Sequence, residues 1–90
     1  MARVIWSREA LLHLELIAEY IDQFDPEAAQ RFARRLIEAG ESLHEFTLRG
    51  RSDAGGIRRL SIVRPYVIRH RVADDAVLTL GIRHARRAAP

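Results

Sequence analysis

Apolar positions along the chain follow two different periods. Ala10, Leu14, Ile17, Ile21 and Phe24 recur at spacings of 4, 3, 4 and 3, one stripe of an α-helix, while Glu9, Glu15, Glu19 and Asp22 lie off it. Ser7 precedes the stripe where an N-cap belongs, its hydroxyl able to take up a free N–H of the first turn. The pattern stops at Asp25-Pro26, where Asp25 suits the cap and Pro26 the first turn of a new helix. A second stripe follows: Ala29, Phe32, Leu36, Ala39, Leu43 and Phe46. Two helices with matching seams and almost no connection predict an antiparallel hairpin. Gly40 inside the second helix costs about 1 kcal/mol against Ala or admits a close approach by the partner helix.

After Phe46 the period becomes two. Residues 47–56 (TLRGRSDAGG) have the Gly, Ser and Asp content of a loop. Three β-type runs follow, roughly 57–63, 66–73 and 76–84, separated by Arg64-Pro65 and Asp74-Asp75, turns short enough to require antiparallel hairpins. Alternation puts Leu60, Ile62, Tyr66, Ile68, Val72, Leu78, Leu80 and Ile82 on one side and Arg59, Arg69, Arg71 and Arg83 on the other. Residues 2–6 also lean to strand. The order is therefore β-α-α-β-β-β: an α+β domain with the helical hairpin packed on one face of a small, mainly antiparallel sheet.

Ninety residues suffice for one domain, spanning 1–90, with a small core that buries about 60–65% of the unfolded surface. The absence of cysteine excludes disulfides, thiolate chemistry and Cys-based zinc sites. No apolar run approaches the roughly 20 residues of a membrane span, and the N-terminus is no signal peptide, so a cytoplasmic protein without membrane partners is expected.

Charge changes the picture. All fifteen Lys+Arg residues are arginine. Residues 1–45 hold five of them against nine acids, a balance of −4, whereas residues 46–90 hold ten against three, a balance of +7. A GC-rich genome explains Arg over Lys but leaves the segregation of acids unexplained. A binding face for phosphate or for an acidic partner would explain it. The four arginines on one sheet face are either a solvated face that deters edge-to-edge pairing or a cradle for a polyanion or carboxylates.

Arg58 and His84 fall on the helix side near its rim, with Tyr66 facing His84. For metal-free RNA cleavage His84 would serve as base or acid, and Arg58 with Arg86 or Arg87 would hold the phosphate. Equally, His84 is a rim histidine bonded to a carbonyl and Arg58 a snorkelling side chain. His70 falls mid-strand on the apolar face and is expected in the core, bonded to its surroundings. His13 and His44 lack a helical i+4 ligand partner, and Asp74-Asp75 is a turn without a third ligand, so no metal or cofactor is expected. Trp6 belongs to the core or, at a strand end, anchors a partner. Arg83-His84-Ala85-Arg86-Arg87 makes a basic tail continuous with the basic sheet.

Four segments in this order resemble the RelE/ParE superfamily of toxins from bacterial type II toxin–antitoxin systems: VIWSREALLHLELIAEYI, DPEAAQRFARRLIEAGESL, GRSDAGGIRRLSI and PYVIRHRVADDAVLTLGIRHARR. Each is short and mostly apolar; their order and spacing over some eighty residues carry the likeness. The resemblance implies the fold derived above. It also implies a cognate antitoxin, dimeric and DNA-binding, whose C-terminal part folds over the toxin in a hetero-oligomer. Acidic antitoxin tails would suit the arginine-rich half, and apolar positions of the helical hairpin would supply grooves.

Within the superfamily, RelE-like members are ribosome-dependent mRNA endonucleases and ParE-like members poison DNA gyrase. The Pro-Tyr-Val-Ile-Arg run, the GIRRL strand and the His-x-Arg-Arg end resemble the ParE side. RelE-like sites rely on several lysines or a His/Glu set, often with a tyrosine near the C-terminus, and this chain has no lysine and carries Ala85 after His84. Arg58 and His84 match positions used for cleavage in some nuclease relatives. Three functions are thus open: a gyrase poison, a ribosome-associated ribonuclease using Arg58 and His84, and an inactive homologue that only binds antitoxin. Arg59, Arg69, Arg71, Arg83, Arg86, Arg87 and Trp6 are the candidates for contact with target or antitoxin.

Overall fold

A computed structural model describes residues 2–86. The elements are β1 (Arg3–Trp6), α1 (Arg8–Asp22), α2 (Pro26–Glu41), a 3-10 turn (Ser42–His44), β2 (Arg51–Ser52), a second 3-10 turn (Ala54–Gly56), β3 (Arg58–Val63), β4 (Tyr66–Ala73) and β5 (Ala76–His84). Both helix starts use the caps expected of them. Ser7 Oγ accepts from Ala10 N at 3.0 Å, and Asp25 Oδ1 accepts from Ala28 N at 3.1 Å with Pro26 in the first turn. The helices fold back on each other and cover one face of a five-stranded sheet of order β1-β5-β4-β3-β2. α1 lies over β5 and α2 over β3.

The sheet is mainly antiparallel, as expected, and departs from the expectation in the segment read as a loop. β1 joins it parallel to β5, which the β-α-α crossover makes possible, and the presumed loop contributes the two-residue edge strand β2, antiparallel to β3. The core between the layers is built from Leu36, Leu43, Leu60, Ile68, Val77 and Ile82, flanked by Trp6, Leu14, Ile17 and Phe32.

Four apolar assignments are overturned, each by a local break in period. A register shift between Leu60 and Val63 turns Ile62 outward, 45% exposed, and Val63 into the core. A second shift, beside Arg69 and His70, gives β5 one extra residue at Leu80. Val77 and Thr79 therefore face the helices, whereas Leu78 stands opposite Arg71 and Ile5. α2 ends at Glu41, and the tightened turn after it releases Phe46 to solvent at 58% exposure. Phe24, beyond the end of α1, is 73% exposed. Gly40 does admit a close approach, but by the Trp6 ring and not by α1: a methyl there would fall inside the indole. Trp6 Nε1 donates to Glu41 Oε2 at 2.7 Å, closing the contact.

Candidate functional site

The first candidate surface surrounds His84. Tyr66 and His84 are cross-strand partners, their rings edge-to-face at 5.8 Å, and Phe32 from α2 meets Tyr66 in the same geometry at 5.8 Å. His84 Nδ1 accepts from Arg86 N at 3.1 Å, so the neutral ring carries its proton on Nε2. Beside it runs a groove of about 330 Å³ lined by His13, Leu16, Ile17, Tyr20, Tyr66, Ile82, Arg83 and His84. His13 and Tyr20 belong to this groove although nothing in the spacing of α1 singled them out. His13 Nδ1 accepts from Ile82 N at 3.1 Å, and Gly81 leaves room for its ring.

The groove continues onto an apolar helix face. Leu12, Leu16, Tyr20 and Phe24, four residues apart, are 50%, 52%, 57% and 73% exposed, and the Tyr20 and Phe24 rings meet at 5.4 Å. Such a stripe, running along α1 and onto Phe24 just past its end, marks an interaction surface.

Arg58 lies elsewhere. It pairs with His70, four β4 positions from the Tyr66–His84 pair, a distance of about 13 Å along the strand. A guanidinium nitrogen donates to the Gly50 carbonyl at 2.9 Å. Gly50 makes this possible with φ +95°, and a Cβ there would stand 2.5 Å from the Arg59 carbonyl oxygen. His70 is wholly buried, and neither its ring nitrogens nor Arg58 Nε has a hydrogen-bond partner. Burial chiefly, then the Arg58 guanidinium, holds the His70 pKa below its ordinary 6.5. The backbone of Ile68, Arg49 and Thr47 pulls the other way without giving either ring nitrogen a hydrogen bond.

The third surface is the outer sheet face. Arg51, Arg59 and Arg69 are register partners on β2, β3 and β4, and Arg83 stands opposite Val67. Arg59, Arg69 and Arg83 line a cleft of about 230 Å³ with Asp53, Val67 and Ala85. Arg71 is exposed one row further, opposite Leu78, and Arg86 lies in the turn after β5. Trp6 packs against the core from the helix side. Arg87 lies outside the described residues. Among the described residues there is no group of three His, Asp or Glu side chains placed to hold a metal ion, and no helix long and apolar enough to cross a membrane.

A helical hairpin on a five-stranded sheet, with an apolar groove on one side and arginines on the other, is the architecture of a small toxin of the RelE/ParE type. Comparison with known proteins gives the family: the model of the ParE toxin of the type II toxin–antitoxin system parDE matches residues 4–89, and the chain belongs to that family. Toxin RelE2 of Caulobacter vibrioides is 51% identical over 87 residues, covering 97% of this chain and 99% of that one. Y4kP of Sinorhizobium fredii is 32% identical over 90 residues, covering 98% and 93%. A solved structure described as the chromosomal ParDE TA system from P. aeruginosa superposes with a TM-score of 0.83 at 24% identity over 93% of this chain and 96% of that one, which establishes the shared fold.

Proposed function

We propose that this toxin arrests growth by poisoning DNA gyrase and is neutralised by a cognate antitoxin. The observation that supports gyrase over messenger RNA is the separation of Arg58 from His84. Cleavage of RNA needs a base, an acid and a phosphate-holding cation around one phosphodiester. Here Arg58 is engaged with the Gly50 carbonyl about 13 Å along β4 from His84. His84 itself offers an N–H at Nε2, because Nδ1 is occupied by the Arg86 amide. That arrangement leaves no free ring nitrogen on His84 to act as a general base. The antitoxin's C-terminal segment, by this reading, lays an apolar helix face along Leu12, Leu16 and Tyr20 and into the groove beside His84.

The test is induction of the toxin alone in a bacterial host, with transcript 5′ ends and gyrase–DNA cleavage complexes followed over the first minutes. Growth arrest with intact transcripts and trapped gyrase breaks is expected. New 5′ ends phased to codons and absent in His84→Ala would instead make the protein a ribosome-dependent endonuclease. Soluble, folded protein that neither arrests growth nor alters transcripts would make it an inactive homologue.

A further inference from the structure

We infer that the outer sheet face is a docking site for the phosphate backbone of duplex DNA, so that the toxin holds DNA directly. The inference deepens the gyrase reading, because the toxin would then touch the DNA that gyrase carries, but its own test requires no gyrase.

The argument starts from placement. Arg51, Arg59 and Arg69 face one another across three adjacent strands, a row about 10 Å wide, and Arg83 lies one step along β5. Core residues Leu60 and Ile68 alternate with Arg59 and Arg69, which fixes these arginines on the side away from the helices. Among the described residues the one carboxylate lining the cleft is Asp53, and its ion pair with Arg59 is long, 4.0 Å, between half-exposed side chains. Like charges directly across a sheet repel. Their clustering therefore destabilises the free toxin slightly and favours any polyanion that covers them.

Two features select duplex DNA among polyanions. The cleft lies over the face of β3, β4 and β5, where Arg59 and Arg69 are ladder-paired on the strands beneath, and Val67, 3% exposed, is part of its lining. An acidic peptide added to the edge at β2 would lie beside the cleft and not over it, and the cleft itself offers no apolar pocket to anchor a docking peptide. Single-stranded nucleic acid is held by stacking bases on aromatic rings. Among the described residues none lines the cleft: Trp6, Phe32 and Tyr66 all pack against the core on the helix side. What remains is a cleft edged by guanidinium groups, which suits contact with phosphates without reading of base sequence.

The test is fluorescence anisotropy of a labelled 20-base-pair duplex titrated with full-length toxin between 50 and 200 mM NaCl. Four phosphate contacts predict a log–log salt slope of about −3 to −4, with no dependence on base sequence. Arg59→Gln with Arg69→Gln, which keeps stems over Val67, should weaken binding at least about 10-fold at 50 mM NaCl and flatten the slope by about 2. Should that variant fail to fold, Arg51→Gln on the exposed edge strand should flatten it by about 1. Arg31→Gln with Arg34→Gln on α2 should change neither. Absence of duplex binding at 50 mM NaCl, or a slope unmoved by the cleft variants, overturns the inference. So does tighter binding of poly-glutamate or of a 20-nucleotide RNA through the same arginines. Gyrase poisoning is scored separately: DNA binding without trapped gyrase breaks would defeat the gyrase reading alone.

Discussion

His70 sits with no exposure between a cationic neighbour and backbone that gives its ring no hydrogen bond, and this has a consequence for stability. Its pKa in the fold is lower than the 6.5 of the unfolded chain, through burial first and Arg58 second. As pH falls through 6.5 the unfolded chain takes up the proton before the folded one does. Stability contributed by the neutral ring is therefore complete above that pH and is lost progressively below it. Melting curves between pH 7.5 and 5 should show the midpoint falling with pH, and His70→Gln should remove part of that fall. Equal pH slopes for the two proteins would show that His70 does not titrate in this range. The core position of His70 was legible from alternation alone, since it shares parity with Ile68 and Val72. Its missing hydrogen bonds were not, because they depend on how the loop at 47–50 passes over the strand, and no spacing rule describes that path. The same limit applies to Arg58. Sequence placed it and His84 on one face near its rim, but alternation says nothing of how far apart two residues on a face lie.

At the level of elements, the helices and hairpins follow from period and caps, and the failures gather at irregularities. A bulge is one added residue, and it reverses every later expectation of which side faces in. Leu80 in β5 illustrates why a bulge survives: its carbonyl accepts from Ser7 Oγ at 3.1 Å, and nearby Ile82 N donates to His13. The N-cap serine and a histidine in the second turn of α1 thus serve backbone groups of the irregular strand. Ser7 also caps α1, and its own N–H donates to the Thr79 carbonyl at 3.0 Å. Ser7→Ala removes a cap and leaves the Leu80 carbonyl short of a donor, a loss of about 1–2 kcal/mol. For a domain of this size the melting midpoint should drop by roughly 5–10 °C. Ser7→Thr, which restores the hydroxyl, should recover most of it. Recovery failing with Thr, or no drop with Ala, would separate helix α1 from the bulge. The serine was visible as a cap in sequence; its second duty was not, since the partner lies 73 residues away.

On the scale of the whole molecule, the charge asymmetry along the chain becomes an asymmetry between layers. The acids of α1 and α2 sit on the helical side, while Arg51, Arg59, Arg69 and Arg83 stand on the far face of the sheet. The apolar groove and the Leu12–Leu16–Tyr20 stripe belong to the helical side and the arginine row to the outer face, and the groove and the cleft meet at Arg83, which lines both. A toxin built this way need not use one surface for both antitoxin and target. If the antitoxin occupies the helical side, Leu16→Glu should place a charge in the apolar contact and weaken neutralisation at least about 10-fold, while growth arrest by the toxin alone persists. Leu16 is half-exposed, and its replacement should leave the melting midpoint within a few degrees. The measurement is a pair of titrations, antitoxin binding in vitro and growth on co-expression at graded antitoxin levels. Neutralisation unchanged by Leu16→Glu would move the antitoxin off α1. The arginine face would then be its alternative seat, and the separation of surfaces would be lost.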